Sequence, residues 1–123
     1  MNKIKITGYF KNSALNSTIN YDCYGIKKDN IISFKNENDN IKLTLNKDSL
    51  IFIKENEETI LTYNFISNMI TTNNTYKLKQ ENLVATLEIE TKTIKINENS
   101  ILIEFVLTDS NDKYQLNIDY KVV

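Results

Sequence analysis

Alternation of apolar and polar residues is the feature that most constrains the fold of this chain. Across residues 114–121 every even position is apolar and every odd position is polar, and residues 41–45 and 87–91 repeat the pattern. A period of two places one face of a β-strand on a core and the other in water. No window carries the apolar stripe of a helix of normal length, and only residues 11–16 favour a single helical turn. The pattern therefore predicts an all-β chain.

Short polar clusters separate the alternating segments every 8–12 residues or so, a spacing typical of an antiparallel sandwich or barrel. The chain has no Pro and two Gly, so Asn and Asp must form the turns, because they tolerate left-handed backbone. The connections are short, which predicts hairpin pairing of consecutive strands within a single domain, residues 1–123. We expect eight to ten strands at roughly residues 3–10, 17–26, 30–36, 40–46, 49–55, 58–65, 68–78, 83–96, 100–108 and 113–121.

The segment 83–96 changes phase along its length. Leu87 and Ile89 are odd-numbered, whereas Ile94 and Ile96 are even-numbered. Because side chains alternate strictly along a strand, the switch predicts a bulge or bend near residues 91–93. Segments 49–53 and 101–107 are apolar on both faces. Their outer faces should therefore be covered by another segment or lie in a subunit contact.

The composition argues against most catalytic chemistry. The chain has no His and one Cys, which excludes Ser-His-Asp and Cys-His catalysis, His-containing zinc sites and an intramolecular disulfide. The two glycines are too far apart for a phosphate-binding loop. No motif implies a metal or another cofactor, so we expect a protein that is not an enzyme.

The charge pattern argues against nucleic acid as a partner. The formal net charge is −1 and every basic residue is Lys, whereas duplex-binding domains usually carry a basic face with Arg. The first residues alternate Lys with Ile and lack the apolar core of a signal peptide. No stretch approaches the ~20 apolar residues of a membrane-spanning helix. We therefore expect a cytoplasmic protein without a membrane partner.

The order of these segments resembles a known family. Residues 21–35 read YDCYGIKKDNIISFK, a meander follows, and the chain ends with the long segment 83–96, the apolar segment 100–107 and the alternating segment 114–120. Over residues 3–121 this order is similar to the YwiB-like proteins, a bacterial domain of unknown function. The resemblance implies a lipocalin-like, calycin-type, up-and-down β-barrel. It implies no catalytic residues.

A barrel of eight strands has an interior wide enough either to be filled by side chains or to hold one small ligand. Aromatic residues on the inward faces suggest a pocket for a small apolar molecule, with Tyr hydroxyl groups as hydrogen-bond donors. Alternatively, the same residues fill the core, and the chain is an interaction or structural module, with a homodimer as one form. The candidate ligand-binding residues are Tyr21, Phe34, Phe52, Phe105, Tyr114 and Tyr120.

Several ionisable residues are further candidate sites. Glu104 lies in an apolar strand, and the simplest phase turns it outward, although an inward orientation would make it a buried acid. Glu88 and Glu90 share a face with Lys92, which favours a solvated charged stripe over an acid–base pair. Cys23 should point inward as a small apolar residue, because no neighbouring group in the sequence would activate its thiol.

Overall fold

The computed structural model describes residues 1–123 and contains ten β-strands and no helix. All ten predicted strands are present, and their ends lie within two residues of the predicted ones. The strands are β1 (Asn2–Asn12), β2 (Ser17–Lys28), β3 (Ile31–Asn36), β4 (Asp39–Leu45), β5 (Ser49–Glu55), β6 (Thr59–Ile66), β7 (Ile70–Leu78), β8 (Leu83–Ile96), β9 (Ser100–Leu107) and β10 (Asp112–Val122).

The ten strands form one closed antiparallel barrel. Each strand pairs with the next along the chain, and β1 pairs with β10 to close the sheet. The prediction of an all-β up-and-down barrel is confirmed. The segment 11–16 continues β1 to Asn12 and then turns at residues 13–16 without forming a helix. We call the end of the barrel that carries this turn the upper end.

Asn and Asp build most of the turns, as expected. Left-handed backbone occurs at six residues other than glycine, and five of them are Asn or Asp. These side chains reach the left-handed region at a lower cost than other residues. The six residues are Asn16, Asp29, Glu37, Asn68, Asn82 and Asn111.

The inward faces form one continuous apolar core. Alternate residues of the strands are buried, among them Ile4 and Ile6 of β1, and Leu116 and Ile118 of β10. The phase change in β8 is a bulge, because the register with β9 shifts between Thr91 and Thr93. The predicted bend is confirmed at the predicted position.

The two doubly apolar strands differ in how their outer faces are covered. On β5, Ile51 and Ile53 are half-buried on the outer face. On β9, Val106 is buried, and its cross-strand neighbours are Glu90 and Lys113. Long charged side chains can cover apolar surface with their aliphatic stems while their charged ends stay in water. Val106 is therefore covered by its own sheet and needs no further segment.

Two ladders of the barrel are incomplete at the upper end. The ladder between β2 and β3 has only four pairs and ends at Gly25 and Phe34. The ladder between β8 and β9 begins at Ile89, so residues 83–88 of β8 extend beyond the paired region of β9. A second bulge interrupts β7 between Thr71 and Asn74.

Candidate functional site

A cluster of six aromatic rings fills part of the barrel interior. Phe105 of β9 lies at its centre, with its ring centroid 4.7 Å from that of Phe65 and 5.6 Å from that of Tyr63, both on β6. Its ring also stacks on Tyr114 of β10 at 5.0 Å. The ring centroid of Phe10 on β1 lies 5.7 Å from that of Phe52 on β5. Phe10 also contacts Phe105 and Tyr114, so it connects the ring on β5 with those on β9 and β10. These separations are those of rings in direct contact.

The six predicted ligand-binding residues lie in three separate places in the core. Phe52, Phe105 and Tyr114 belong to the aromatic cluster. Tyr21 and Phe34 form a separate edge-to-face pair at 5.3 Å. Tyr120 lies apart from both groups, and its hydroxyl donates a hydrogen bond of 2.7 Å to the carbonyl oxygen of Glu98. Their inward orientation agrees with the prediction, and their role as ligand-binding residues stays a prediction.

Three other members of the cluster were not among the residues predicted from the sequence. Phe10, Tyr63 and Phe65 contact the same rings as the selected residues. The signal was present, because Phe10 shares the even phase of Ile4 and Ile6 in β1. Tyr63 and Phe65 likewise continue the odd phase of β6. Strict alternation would have identified all three.

A groove of about 930 Å³ crosses the outer face of the barrel from β1 to β5. Half of the twelve lining residues are apolar. Two of these, Tyr24 and Ile26 of β2, have 56% and 46% of their surface exposed. A volume of this size lies in the range of small-molecule sites, about 300–1,000 Å³. A second, adjoining crevice of about 600 Å³ has no apolar lining residue.

Strand register places the main groove residues in one row. Lys3 lies opposite Ile26, Ile26 opposite Ser33, Ser33 opposite Lys42, and Lys42 opposite Ile53. Three strand spacings separate Lys3 from Lys42, or about 14 Å between their backbones. Neither lysine forms an ion pair, whereas Glu55 at the edge of the groove is paired with Lys79 at 2.7 Å. The row therefore presents an apolar and hydroxyl-bearing strip flanked by two uncompensated ammonium groups.

Tyr24 stands at the point where β2 and β3 separate. The ammonium groups of Lys3 and Lys5 lie 4.8 and 4.7 Å from the centre of its ring. Cation–π attraction at this distance favours one orientation of the exposed ring. Next to it, an added Cβ on Gly25 would lie 2.6 Å from the carbonyl oxygen of Ser33 and 2.9 Å from the Cβ of Phe34. Glycine at this position therefore permits the close approach of β3 that forms the floor of the groove.

The ionisable residues considered in the sequence occupy the expected faces. Glu104 is exposed on the outer face, as the simplest phase predicted. Lys92 pairs with Glu90 at 2.9 Å, so this face is a charged stripe, as predicted. Cys23 packs against the core, and burial raises the pKa of its thiol, opposed by the nearby Lys5. A raised pKa lowers the thiolate fraction at neutral pH and makes the thiol a weak nucleophile.

Burial also raises the pKa of four tyrosines, Tyr21, Tyr63, Tyr114 and Tyr120. The first two are the most deeply buried, with 3% and 6% of their surface exposed. These hydroxyl groups stay protonated at neutral pH and can serve only as neutral hydrogen-bonding groups. No three His, Cys, Asp or Glu side chains converge to hold a metal ion. The chain also contains no helix that could cross a membrane.

The fold is similar to that of a known bacterial protein. The crystal structure of the YwiB protein from Bacillus subtilis matches with a TM-score of 0.70, covering 98% of this chain and 90% of that chain. The two sequences are 13% identical. No family model matches the sequence, and no curated protein matches it. The resemblance inferred from the order of the strands is confirmed as a likeness of fold, and at this identity it carries no function.

Proposed function

We propose that this chain is a non-catalytic binding protein for a small apolar molecule that carries an anionic group, held in the groove across β1 to β5. The observation that carries the proposal is the row from Lys3 to Ile53, where Ile26 and Ser33 lie between two lysines that form no ion pair. Burial of apolar surface would supply most of the affinity, and the lysines would select the charge and orientation.

The barrel interior offers less room for the ligand that the sequence suggested. Phe105 already contacts four other rings there, including both Phe10 and Tyr114. A ligand at that level would have to displace packed side chains, and leaving core contacts unfilled costs several kcal/mol. The groove is open to solvent and needs no such rearrangement. This contrast favours the groove on the outer face, rather than the barrel interior, as the ligand site.

Binding of 8-anilinonaphthalene-1-sulfonate tests the proposal, because this probe joins an apolar aromatic body to one sulfonate. We expect saturable binding at one site per chain, followed by probe fluorescence. Ile26→Ser should weaken affinity about 10-fold, as expected for losing the burial of one aliphatic side chain. Lys42→Gln should weaken binding and make it less sensitive to salt.

Matched variants outside the groove serve as controls. The two control variants are Ile19→Ser, at a position on the same strand as Ile26, and Lys95→Gln, at an exposed position of β8. Both should bind the probe as the native chain does. If Phe52→Leu changed affinity while Ile26→Ser did not, the site would be interior and the groove proposal would fail. Native mass spectrometry of protein from its own host would then show whether a ligand of the proposed class is retained.

A further inference from the structure

The upper part of β8 is an unshielded strand edge. Residues 83–87 read LVATL, and they pair with β7 on one side only. The segment contains no charged residue, no Pro and no bulge, the features that usually protect an exposed edge. Leu83 and Val84 have 59% and 56% of their surface exposed. This edge is therefore open to pairing with another strand.

The hydrogen-bonding groups that face the open side can be identified. The carbonyl oxygen of Glu88 accepts a hydrogen bond from the backbone N–H of Thr108, just beyond β9. Because backbone groups alternate sides along a strand, those of Thr86 and Val84 point to the same side as the Glu88 carbonyl. There β9 has ended, and no backbone or side-chain partner bonds to them. Four strong hydrogen-bonding groups are thus left to solvent in the single chain.

We infer that a second copy of this chain covers the edge, with two β8 strands pairing antiparallel about a two-fold axis at Ala85. In this register Val84 lies opposite the partner copy's Thr86, and Thr86 lies opposite the partner copy's Val84. These two hydrogen-bonded residue pairs use all four open backbone groups of each copy. A symmetric pairing of this kind uses the same patch on both copies and leaves no free edge on β8 between residues 83 and 87.

The side chains suit this register. Residues that face each other across a non-hydrogen-bonded pair come closest, with about 4.5 Å between their Cα atoms. Ala85 occupies that position on the axis and is small enough to meet its own copy there. On the same face Leu83 meets the partner copy's Leu87, so apolar side chains oppose one another. A two-fold axis places like charges close together, and the absence of charge from residues 83–87 removes that penalty.

Charged substitutions at Ala85 test the inference, with mass measured by light scattering and sedimentation. We expect the native chain to form a particle of twice its 14.3 kDa. Ala85→Lys and Ala85→Glu should each weaken dimerisation by about 100-fold or more, because like charges meet on the axis. An equimolar mixture of the two should restore the dimer. Thr18→Lys, at an exposed position of β2, is the control and should not affect the mass.

A crosslinking experiment gives an answer even where a charged variant folds poorly. The double variant Cys23→Ser with Ala85→Cys should form a disulfide-linked dimer under mild oxidation. The same background with Thr18→Cys should not. A native chain that stays monomeric at every concentration would overturn the inference. It would also fail if the native dimer persisted unchanged in both Ala85→Lys and Ala85→Glu.

Discussion

The side-chain oxygen of Asn74 accepts a hydrogen bond of 2.6 Å from the backbone nitrogen of Asn64, just beyond the point where the ladder between β6 and β7 ends. The hydroxyl of Thr71 donates to the carbonyl oxygen of Asn64 at 2.7 Å. Two side chains of β7 thus bond to the backbone of Asn64, where β6 has no ladder partner on β7. The amide nitrogen of Asn74 also donates to the carbonyl oxygens of Thr71 and Leu87. One fully buried residue therefore ties β6, β7 and β8 together.

Removal of the Asn74 side-chain amide should destabilise the folded chain. Asn74→Ala removes the side-chain partner of the Asn64 N–H and a donor to the Leu87 carbonyl, and each polar group left unpaired by burial costs about 1–3 kcal/mol. We expect the free energy of unfolding, measured with urea, to fall by about 2–4 kcal/mol. Asn73→Ala on the same strand is exposed and should change it by less than about 0.5 kcal/mol. Equal effects of the two variants would contradict the assigned role.

Thr91 is buried like Asn74, but its side chain lacks a hydrogen-bond partner. Its hydroxyl lies at the β8 bulge. Thr91→Val keeps the shape and removes the unsatisfied group, so it should raise the free energy of unfolding by about 1 kcal/mol. Thr93→Val, two residues along and half-buried, is the comparison. A loss of stability in Thr91→Val would mean that the hydroxyl is satisfied, for example by an ordered water.

Gly8 marks a close approach of β1 and β10. An added Cβ would lie 2.0 Å from the carbonyl oxygen of Asn117, a distance that the backbone must relieve by moving. Gly8→Ala should therefore destabilise the barrel by about 1–3 kcal/mol or more, as overpacking does. Thr7→Ala, exposed on the same strand, provides the control in the same urea titration. Unchanged stability in Gly8→Ala would show that the two strands can separate at little cost.

Adjacent residues on β9 test the assignment of inward and outward faces. Phe105→Ala removes the central ring of the aromatic cluster and should lower the free energy of unfolding by about 3–5 kcal/mol. Glu104→Ala removes an exposed side chain and should shift it by less than about 0.5 kcal/mol. Thermal and urea unfolding followed by circular dichroism provide the measurement. A small effect of Phe105→Ala would indicate a loosely filled interior with room for a ligand.

The buried tyrosines make stability fall at alkaline pH. Burial raises the folded-state pKa of Tyr63, so the folded chain keeps a proton that the unfolded chain releases near pH 10. The resulting contribution is fully present below the unfolded pKa and is lost as the pH rises above it toward the folded pKa. We expect the free energy of unfolding to begin its decline at about pH 10 and to keep falling as the pH rises further. Tyr63→Phe should make the decline less steep, and a flat profile in the native chain would refute this account.

Much of the barrel was predictable from local pattern. A strand buries every second residue, so alternation in β4 and β10 revealed both the strands and their inward faces. The phase change between Ile89 and Ile94 likewise required the bulge that lies between Thr91 and Thr93. Asn at the turns followed from the lack of Gly and Pro. These features depend on residues close together in the sequence.

The role of Asn74 was not predictable in the same way. The chain has 19 Asn residues, most of them in turns or on the surface, and nothing nearby marks this one as buried. Its partners, Asn64, Thr71 and Leu87, come from three strands. Only the register of β6 against β7 creates the gap that its side chain fills. The same holds for Thr91, whose missing partner is a property of its tertiary surroundings.

The sequence by itself determined the class of fold, the strand positions to within two residues and the inward face of the strands that alternate cleanly, because these follow from a period of two along the chain. The tertiary structure alone decided the rest. The groove exists because four ladders align Lys3, Ile26, Ser33, Lys42 and Ile53, and each ladder offset depends on turn geometry and packing elsewhere. The open edge at Val84 exists because β8 is longer than the ladder it forms with β9. Both sites depend on relative strand position, which the closure of the barrel sets.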